Sequence, residues 1–169
     1  VLSDCPQAMI LEKAKAAAVP NRYIPPGRFK TYLEPEVENS YVEALCQAGA
    51  EWVVLAGFMR VLKSAFFHAY RGRIINIHPS LLPSFKGLEA WRQALEYGVQ
   101  VTGCTVHMVD EGVDSGPILM QRAVDVLADD TPETLHARIQ QAEHEIYPDA
   151  LRFLAQSRYV IQGRRIKQT

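Results

Sequence analysis

The sequence predicts an α/β fold with a doubly wound, mostly parallel central sheet flanked by helices. Short apolar runs of strand length, such as residues 52–56 (Trp-Val-Val-Leu-Ala), alternate with segments of helical spacing. Such runs are typical of strands that helices cover on both faces. Gly and Pro residues separate short elements along the whole chain, which contains no repeat or long linker. In this architecture, ligands bind at the carboxyl ends of the strands.

Two short strands and two helices are predicted before residue 50. Residues 1–3 form the first strand, and Asp4 acts as the N-cap of an Ala-rich helix that has Pro6 in its first turn and ends near Ala18. Residues 21–24 form the second strand, and residues 25–27 (Pro-Pro-Gly) force a turn. A helix then starts at Pro35, because apolar residues follow it at helical spacing.

From residue 52 onward, strands and helices alternate more clearly. Strands are predicted at residues 52–56, 73–78, 102–109 and 118–126, and helices at residues 64–70, 89–97 and 132–155. Residues 110–117, rich in Gly and Asp, join the last two strands as a loop. Residues 158–169 form a basic C-terminal tail, interpreted as a terminal solvated strand.

Size and composition limit the class of protein. The 169 residues predict a single domain, and 48% hydrophobic with 22% charged residues is typical of a globular protein. A net charge of −1 gives no general attraction to nucleic acid or to membranes. No apolar run reaches about 18 residues and no signal peptide is apparent, so we expect a cytoplasmic protein. Cys5, Cys46 and Cys104 fit neither a disulfide framework nor a zinc site and are interpreted as reduced thiols.

Asn76 and His78 interrupt an apolar strand directly before Pro79. Because they are two residues apart, both point to the same face at the carboxyl end of the strand. A buried polar group without a partner costs about 1–3 kcal/mol, so their presence needs a reason. Either they satisfy the backbone of the following loop or they belong to a reaction site, and the residues alone leave both interpretations open.

The loop at residues 110–117 contains three carboxylates and two Gly residues. It is either a solvated turn or the source of an Asp that pairs with His78. A His supported by an Asp, beside an Asn amide, can donate to an oxyanion on an attacked carbonyl. No Ser or Cys there has the setting of a nucleophile, so direct attack by an amine or water is favoured. His107 with Asp110 or Asp114 matches no metal-site spacing, and His107 is interpreted as a structural residue.

Four segments in order resemble the phosphoribosylglycinamide formyltransferase family, also called GAR transformylases. They are residues 56–62 (AGFMRVL), 76–83 (NIHPSLLP), 110–117 (DEGVDSGP) and 142–148 (AEHEIYP), and the intervals fit from about Val1 to Ala155. The resemblance implies a Rossmann-like formyltransferase fold. It also implies transfer of a formyl group from 10-formyltetrahydrofolate to the amine of glycinamide ribonucleotide, in de novo purine synthesis. It implies no metal and allows a homodimer.

The resemblance also assigns roles to residues. Asn76 and His78 match the pair that stabilises the oxyanion, with His78 as the proton donor, and Asp114 matches the carboxylate that supports it and favours the imidazolium. The predicted folate contacts are Met59, Arg60, Val61, Leu62, Asn76, Asp110, Glu111, Gly112, Val113 and Asp114. The predicted ribonucleotide contacts are Pro79, Gln140, Gln141, Ala142 and Glu143. The residues alone leave open that Met59 and Leu62 are core and that Glu143 lies on a solvated helix face.

Three further features concern how closely the chain follows the family. The Leu82–Pro83 bond matches a position that is cis in the family. The family opens with a strand and a Gly-Ser-Asn loop whose amides bind phosphate, whereas residues 1–4 align with its second strand, so we expect that loop to be missing. Near residues 29–34 the family often has an Arg that touches the folate. Tyr32 occupies that place here, and Lys30 could supply the charge.

Three other functions stay open. Formyltetrahydrofolate deformylase shares the Asn, His and Asp arrangement and uses water as the acceptor, but it resembles a longer chain with an extra regulatory domain. Methionyl-tRNA formyltransferase would need an added RNA-binding domain, for which the basic tail is too short. A catalytically silent folate-binding fragment would be consistent with a missing phosphate loop. Residues 78–83 fit the ribonucleotide enzyme better than the deformylase.

Overall fold

The computed structural model describes residues 1–156 and 158–169, and these divide into two units. The first unit comprises Val1–Val53 and Gly57–Arg71, and the second comprises Val54–Ala56 and Gly72–Thr169. No helix in these described ranges is long and apolar enough to cross a membrane. The single domain over residues 1–169 stays a prediction.

The first unit contains two short strands and three helices. These are β1 (Leu2–Ser3), α1 (Met9–Ala16), β2 (Arg22–Tyr23), α2 (Pro35–Gln47) and α3 (Ser64–Tyr70), and β1 pairs with β2 in parallel. Pro35 suits the start of α2, because an N–H at this position would have no partner within the helix. Glu36 and Glu38 lie in the first turn, where their negative charges interact favourably with the positive end of the helix dipole. The buried Tyr41 hydroxyl donates to the Ile24 carbonyl at 2.6 Å. The predicted starts of α2 and α3 are confirmed.

α1 begins later than predicted. Its N-cap is Ala8, whereas the carboxylate of Asp4 accepts a hydrogen bond from Arg60 Nε at 2.9 Å. The predicted cap at Asp4 is therefore wrong, because a residue distant in sequence engages this side chain. The helix ends at Ala16 rather than near Ala18, since Ala18 adopts a left-handed φ of 54°.

The second unit contains the six-stranded sheet, in the order β3-β4-β5-β6-β8-β7. Its strands are β3 (Val53–Leu55, of which Val54 and Leu55 belong to this unit), β4 (Ile74–His78), β5 (Val101–Met108), β6 (Ile118–Asp125), β7 (Tyr159–Gln162) and β8 (Arg165–Gln168). Its helices are α4 (Ala90–Tyr97) and α5 (Pro132–Gln156). The predicted strands and helices from residue 52 to residue 156 are confirmed to within one residue at each end. The C-terminal tail forms two antiparallel strands instead of one, with a turn at Gly163.

The predicted α/β class, with a central sheet and flanking helices, is confirmed. The strand directions within it are mixed. β6 and β8 pair in parallel, whereas β4/β5, β5/β6 and β7/β8 are antiparallel. A short loop, residues 109–117, joins β5 to β6, and a connection of this length suits antiparallel neighbours because parallel strands need a longer crossover. The predicted mostly parallel arrangement therefore does not hold for β4 and β6, which both run antiparallel to β5.

α5 covers one face of β5. The buried side chains of α5 recur at helical spacing and pack with those of β5 in one cluster: Leu135, Ile139, Ala142, Ile146 and Ala150 with Cys104 and Val106. Because side chains alternate along a strand, Thr105 and His107 point to the opposite face of β5. The apolar packing on α5 therefore fixes which polar residues face the other way.

Truncation of a buried apolar side chain on α5 should destabilise the protein. Leu135→Ala removes a fully buried side chain and should lower the free energy of unfolding by about 2–5 kcal/mol. Leu151→Ala, on the same helix but 36% exposed, is the matched control and should cost about 1 kcal/mol or less. Urea denaturation of both variants measures the difference. Equal losses would contradict the burial pattern described for α5.

Candidate active site

The pairing of β4 with β5 brings four polar side chains to one face of the sheet. Asn76 lies opposite His107, and His78 lies opposite Thr105. His78, His107 and Thr105 are buried, and Asn76 is partly buried. Two of the four were predicted as site residues, and Asp114 joins them from the loop between β5 and β6.

Asp114 lies between the two histidines. Its Oδ2 is 3.4 Å from His78 Nδ1, and its Oδ1 is 3.6 Å from His107 Nε2. The backbone N–H of Gly87 donates to Oδ2 at 2.9 Å. Asp114 has a left-handed φ of 47°, which costs a non-glycine residue about 1–2 kcal/mol. The structure thus brings the three predicted catalytic residues, Asn76, His78 and Asp114, into one polar cluster with His107.

The carboxylate of Asp114 stays ionised over the ordinary pH range. Burial by itself raises its pKa, but the nearby His107, the hydrogen bond from the Gly87 N–H and the charge of His78 lower the pKa of Asp114 to about 2. A fixed negative charge therefore lies beside His78.

Burial dominates the acid–base behaviour of His78. It lowers the pKa of His78 below its ordinary value, although the Phe85 carbonyl and the Asp114 carboxylate act in the opposite direction. His78 Nε2 is 2.8 Å from the Phe85 carbonyl oxygen, which can only accept, so Nε2 carries a proton. Asp114 favours the imidazolium as predicted, but its effect is smaller than that of burial.

His107 contacts two of the three predicted catalytic residues. Its Nδ1 donates to the Met108 carbonyl at 2.8 Å. Its Nε2 is 3.5 Å from Asn76 Nδ2 and 3.6 Å from Asp114 Oδ1. A proton on Nε2 would pair with the carboxylate, whereas an unprotonated Nε2 would accept from the amide.

A hydrogen-bond network fixes the loop that follows His78. The Thr105 hydroxyl donates to the Ser80 carbonyl at 2.7 Å and accepts from the Leu82 N–H at 3.0 Å. Gln121 Nε2 donates to the Leu82 carbonyl at 3.0 Å and to Thr105 Oγ1 at 2.9 Å. The Leu82–Pro83 bond is cis, as predicted. Sequence reasoning missed Thr105 and Gln121, although polar residues two apart on an apolar strand, Thr105 and His107, were a visible signal.

The predicted folate segment of the first unit is partly accessible. Met59 and Val61 are exposed, whereas Leu62 is buried. The Arg60 guanidinium is bonded to Asp4 and to the Phe29 carbonyl. That residues 59–62 contact the folate stays a prediction.

The segment that departs from the family lies beside Val61. The Val61 N–H donates to the Thr31 carbonyl at 2.8 Å, and Tyr32 forms a parallel bridge with Val61. The ammonium of Lys63 lies 3.7 Å from the centre of the Tyr32 ring. The structure therefore places the Lys63 ammonium over the Tyr32 ring, whereas the sequence had suggested that Lys30 could supply the charge.

The other predicted contacts lie in the second unit. Asp110 Oδ1 accepts from the Gly112 N–H and the Ser115 hydroxyl, which shapes the loop, and Glu111 and Val113 are exposed. On α5, Gln140 and Gln141 are exposed, whereas the Ala142 side chain is buried in the core cluster. Burial raises the pKa of Glu143 to about 7. Pro79, which directly follows His78, is partly buried.

Asp110 and Asp114, two carboxylates that follow His107 in the sequence, have different partners. Among the residues that the structure describes, no group of three or more His, Cys, Asp or Glu side chains is placed to hold a metal ion. Asp114 Oδ1 is near His107, whereas Asp110 is engaged by Ser115. The carboxylates therefore act on different partners.

Comparison with known proteins places this geometry in a family. The profile of the family described as formyl transferase matches residues 1–151, and the chain belongs to this family. It is 42% identical to the phosphoribosylglycinamide formyltransferase of Bacillus subtilis, over 91% of this chain and 78% of that protein. It is 46% identical to the human trifunctional purine biosynthetic protein adenosine-3, over 92% of this chain but 15% of that protein. The predicted family resemblance is confirmed.

Solved structures agree with the sequence relatives. Glycinamide ribonucleotide transformylase 1 of Symbiobacterium toebii matches with a TM-score of 0.93 and 48% identity, over 99% of this chain and 78% of that one. A formyltetrahydrofolate deformylase of Pseudomonas syringae matches with a TM-score of 0.91 but only 26% identity, over 99% of this chain and 55% of that one. The fold is thus shared by both kinds of enzyme, and sequence identity is higher to the ribonucleotide enzymes.

The charge of Asp114 should be visible in the titration of His78. Asp114→Asn removes the negative charge that raises the pKa of His78, so that pKa should fall further below its ordinary value. NMR titration of the His78 ring measures it. Asp110→Asn, in the same loop but bonded to Ser115, is the matched control and should leave the pKa unchanged. An unchanged or raised pKa in Asp114→Asn would contradict the described contact.

Proposed function

We propose that this chain transfers a formyl group from 10-formyltetrahydrofolate to the amine of glycinamide ribonucleotide, a step of purine synthesis. The observation that carries the proposal is the cluster of Asn76, His78 and Asp114 in a chain of the formyl transferase family. The relative with 42% identity is named phosphoribosylglycinamide formyltransferase, and the solved structure with 48% identity is that of a glycinamide ribonucleotide transformylase. The cytoplasmic setting and the homodimer stay predictions.

Asn76 and His78 would stabilise the charge that develops during the reaction. The amine attacks the formyl carbon, which turns the carbonyl oxygen into an oxyanion, and N–H donors already in position lower the energy of this intermediate. An Asn amide carries two N–H donors, and His78 carries a proton on Nε2. Both side chains lie on the same face of β4, so both can reach one oxygen.

His78 and Asp114 would assist the proton transfers of the reaction. A bond forms between the amine nitrogen and the formyl carbon, and the bond from that carbon to N10 of the folate breaks. The amine loses a proton and N10 gains one, so the reaction is balanced without a further reactant. His78 Nε2 donates to the Phe85 carbonyl in the structure, and proton donation to substrate requires this bond to be exchanged. The Asp114 charge stabilises the imidazolium that the proton relay needs.

The remaining predicted residues would hold the substrates. Met59, Arg60, Val61 and Leu62, as well as residues 110–114, are proposed folate contacts on the strength of the family resemblance. On α5, the exposed Gln140 and Gln141 and the partly buried Glu143 would contact the ribonucleotide. Ala142 would contribute through its backbone, because its side chain is buried.

Replacing the cluster should abolish most turnover. Asn76→Ala should lower kcat about 10²–10³-fold, as loss of one oxyanion donor does, and His78→Ala about 10²–10⁴-fold, as loss of a general acid does. The assay measures formylated glycinamide ribonucleotide, and calorimetry with a folate analogue should show largely unchanged binding for His78→Ala.

His68→Ala, an exposed histidine on α3, is the matched control and should keep full activity. Full turnover in His78→Ala would refute the assignment. Equal formate release with and without the ribonucleotide would identify a deformylase instead. Folate binding without any turnover of the unmodified chain would identify a silent binding protein.

Glu143 should make ribonucleotide binding depend on pH. Its pKa of about 7 means that the carboxylate forms as the pH rises from 6 to 8, and a carboxylate attracts a cationic amine and accepts from hydroxyls more strongly than the neutral acid. Affinity measured by calorimetry should therefore increase over this range, and Glu143→Gln should remove the increase. Glu145→Gln, which alters an exposed carboxylate paired with Arg122, should leave it intact. Persistence of the increase in Glu143→Gln would rule out this role.

A further inference from the structure

His107 is a buried titratable group that the proposed reaction does not use. It is 2% exposed and lies on β5, directly opposite Asn76 in the β4/β5 pairing. The Met108 carbonyl accepts from Nδ1, which fixes the ring orientation and directs Nε2 toward Asn76 and Asp114. A side chain held in this way can hold its neighbours in turn.

The contact with Asn76 decides which end of the amide is available. The Asn76 NH₂ group can only donate, so its 3.5 Å approach to Nε2 pairs it with an unprotonated nitrogen. One of its two N–H bonds is then directed to His107, and the second stays free. In the flipped orientation, the amide oxygen would face the reacting groups, and an oxygen repels an oxyanion. His107 therefore distinguishes the two orientations of an amide that would otherwise be nearly equal in shape.

We propose that His107 is a positioning residue, which holds the Asn76 amide with one N–H directed toward the reacting carbonyl. This inference rests on the proposed function, because the oxyanion is that of formyl transfer. His107 itself does not touch the substrate in this proposal. It acts through Asn76.

A double-mutant cycle tests the proposal. His107→Leu removes the acceptor and should lower kcat about 10- to 100-fold with little change in KM, less than the about 10²–10³-fold typical of losing a donor outright. In an Asn76→Ala background, the same substitution should change kcat less than about 2-fold, because the group it acts through is gone. His107→Gln can present an amide oxygen to Asn76 and should restore kcat to within about 3-fold of the unmodified chain.

Thr102→Val is the matched control for loss of a buried polar group. Thr102 lies on the same strand, is 1% exposed and points to the opposite face, and its hydroxyl lacks a hydrogen-bond partner among the described residues. It should leave kcat unchanged. Equal losses from His107→Leu in both the Asn76 and the Asn76→Ala backgrounds would overturn the proposal, since they would indicate a general structural role.

A second measurement is independent of activity and so separates this inference from the proposed function. NMR of the ¹⁵N-labelled chain should show one Asn76 side-chain N–H shifted by its hydrogen bond, and His107→Leu should remove that shift, whereas Thr102→Val should not. If the shift is lost but no formyl transfer is found in any form, the proposed function fails and the positioning contact stands. If the Asn76 resonances are the same in the unmodified chain and in His107→Leu, the proposal fails.

Discussion

The antiparallel pairing of β4 with β5 is the constraint on which the candidate site depends. Strand side chains alternate, so a slip of one residue would exchange the two faces. Asn76 and His78 would then lie against the apolar core, and Ile77, which packs against the core cluster, would take their place. The same cluster holds Cys104 and Val106 of β5 against α5. Hydrophobic packing on one face therefore enforces the register that assembles the polar groups on the other.

The polar cluster is tolerated in a buried place because its charges and dipoles are mutually satisfied. A buried carboxylate without partners would be strongly unfavourable. Asp114 instead receives the Gly87 N–H and lies near two imidazoles, and these contacts outweigh the effect of burial on its pKa. His78 has the opposite balance, because burial outweighs the nearby carboxylate. The pair therefore combines a stable anion with an imidazole that gives up its proton more readily than usual.

Sequence reasoning recovered most of the elements and singled out three residues that the structure brings together, because both leave a local pattern. Asn76 and His78 stand out as polar breaks in an apolar strand, and Asp114 stands in a loop that the family resemblance identifies. The groups that hold them leave no such pattern. The Phe85 carbonyl and the Gly87 N–H are backbone groups, which every sequence contains. His107 was interpreted as structural from its strand spacing, because its contacts with Asn76 and Asp114 depend on the β4/β5 pairing and on the fold of the loop after β5. The cap at Asp4 was predicted wrongly because Arg60 lies 56 positions along the chain.

The choice between an amine and water as the acceptor cannot lie in the polar cluster itself. Attack by either nucleophile would produce an oxyanion at the same carbonyl, and under the proposed mechanism the same donors would stabilise it. The fold does not separate the two reactions either, since a deformylase shares it with a TM-score of 0.91. Discrimination must therefore come from groups that bind the acceptor molecule. Along α5, Glu143 has the chemistry for this task, because a carboxylate that titrates near pH 7 can attract an amine substrate and gains little from water.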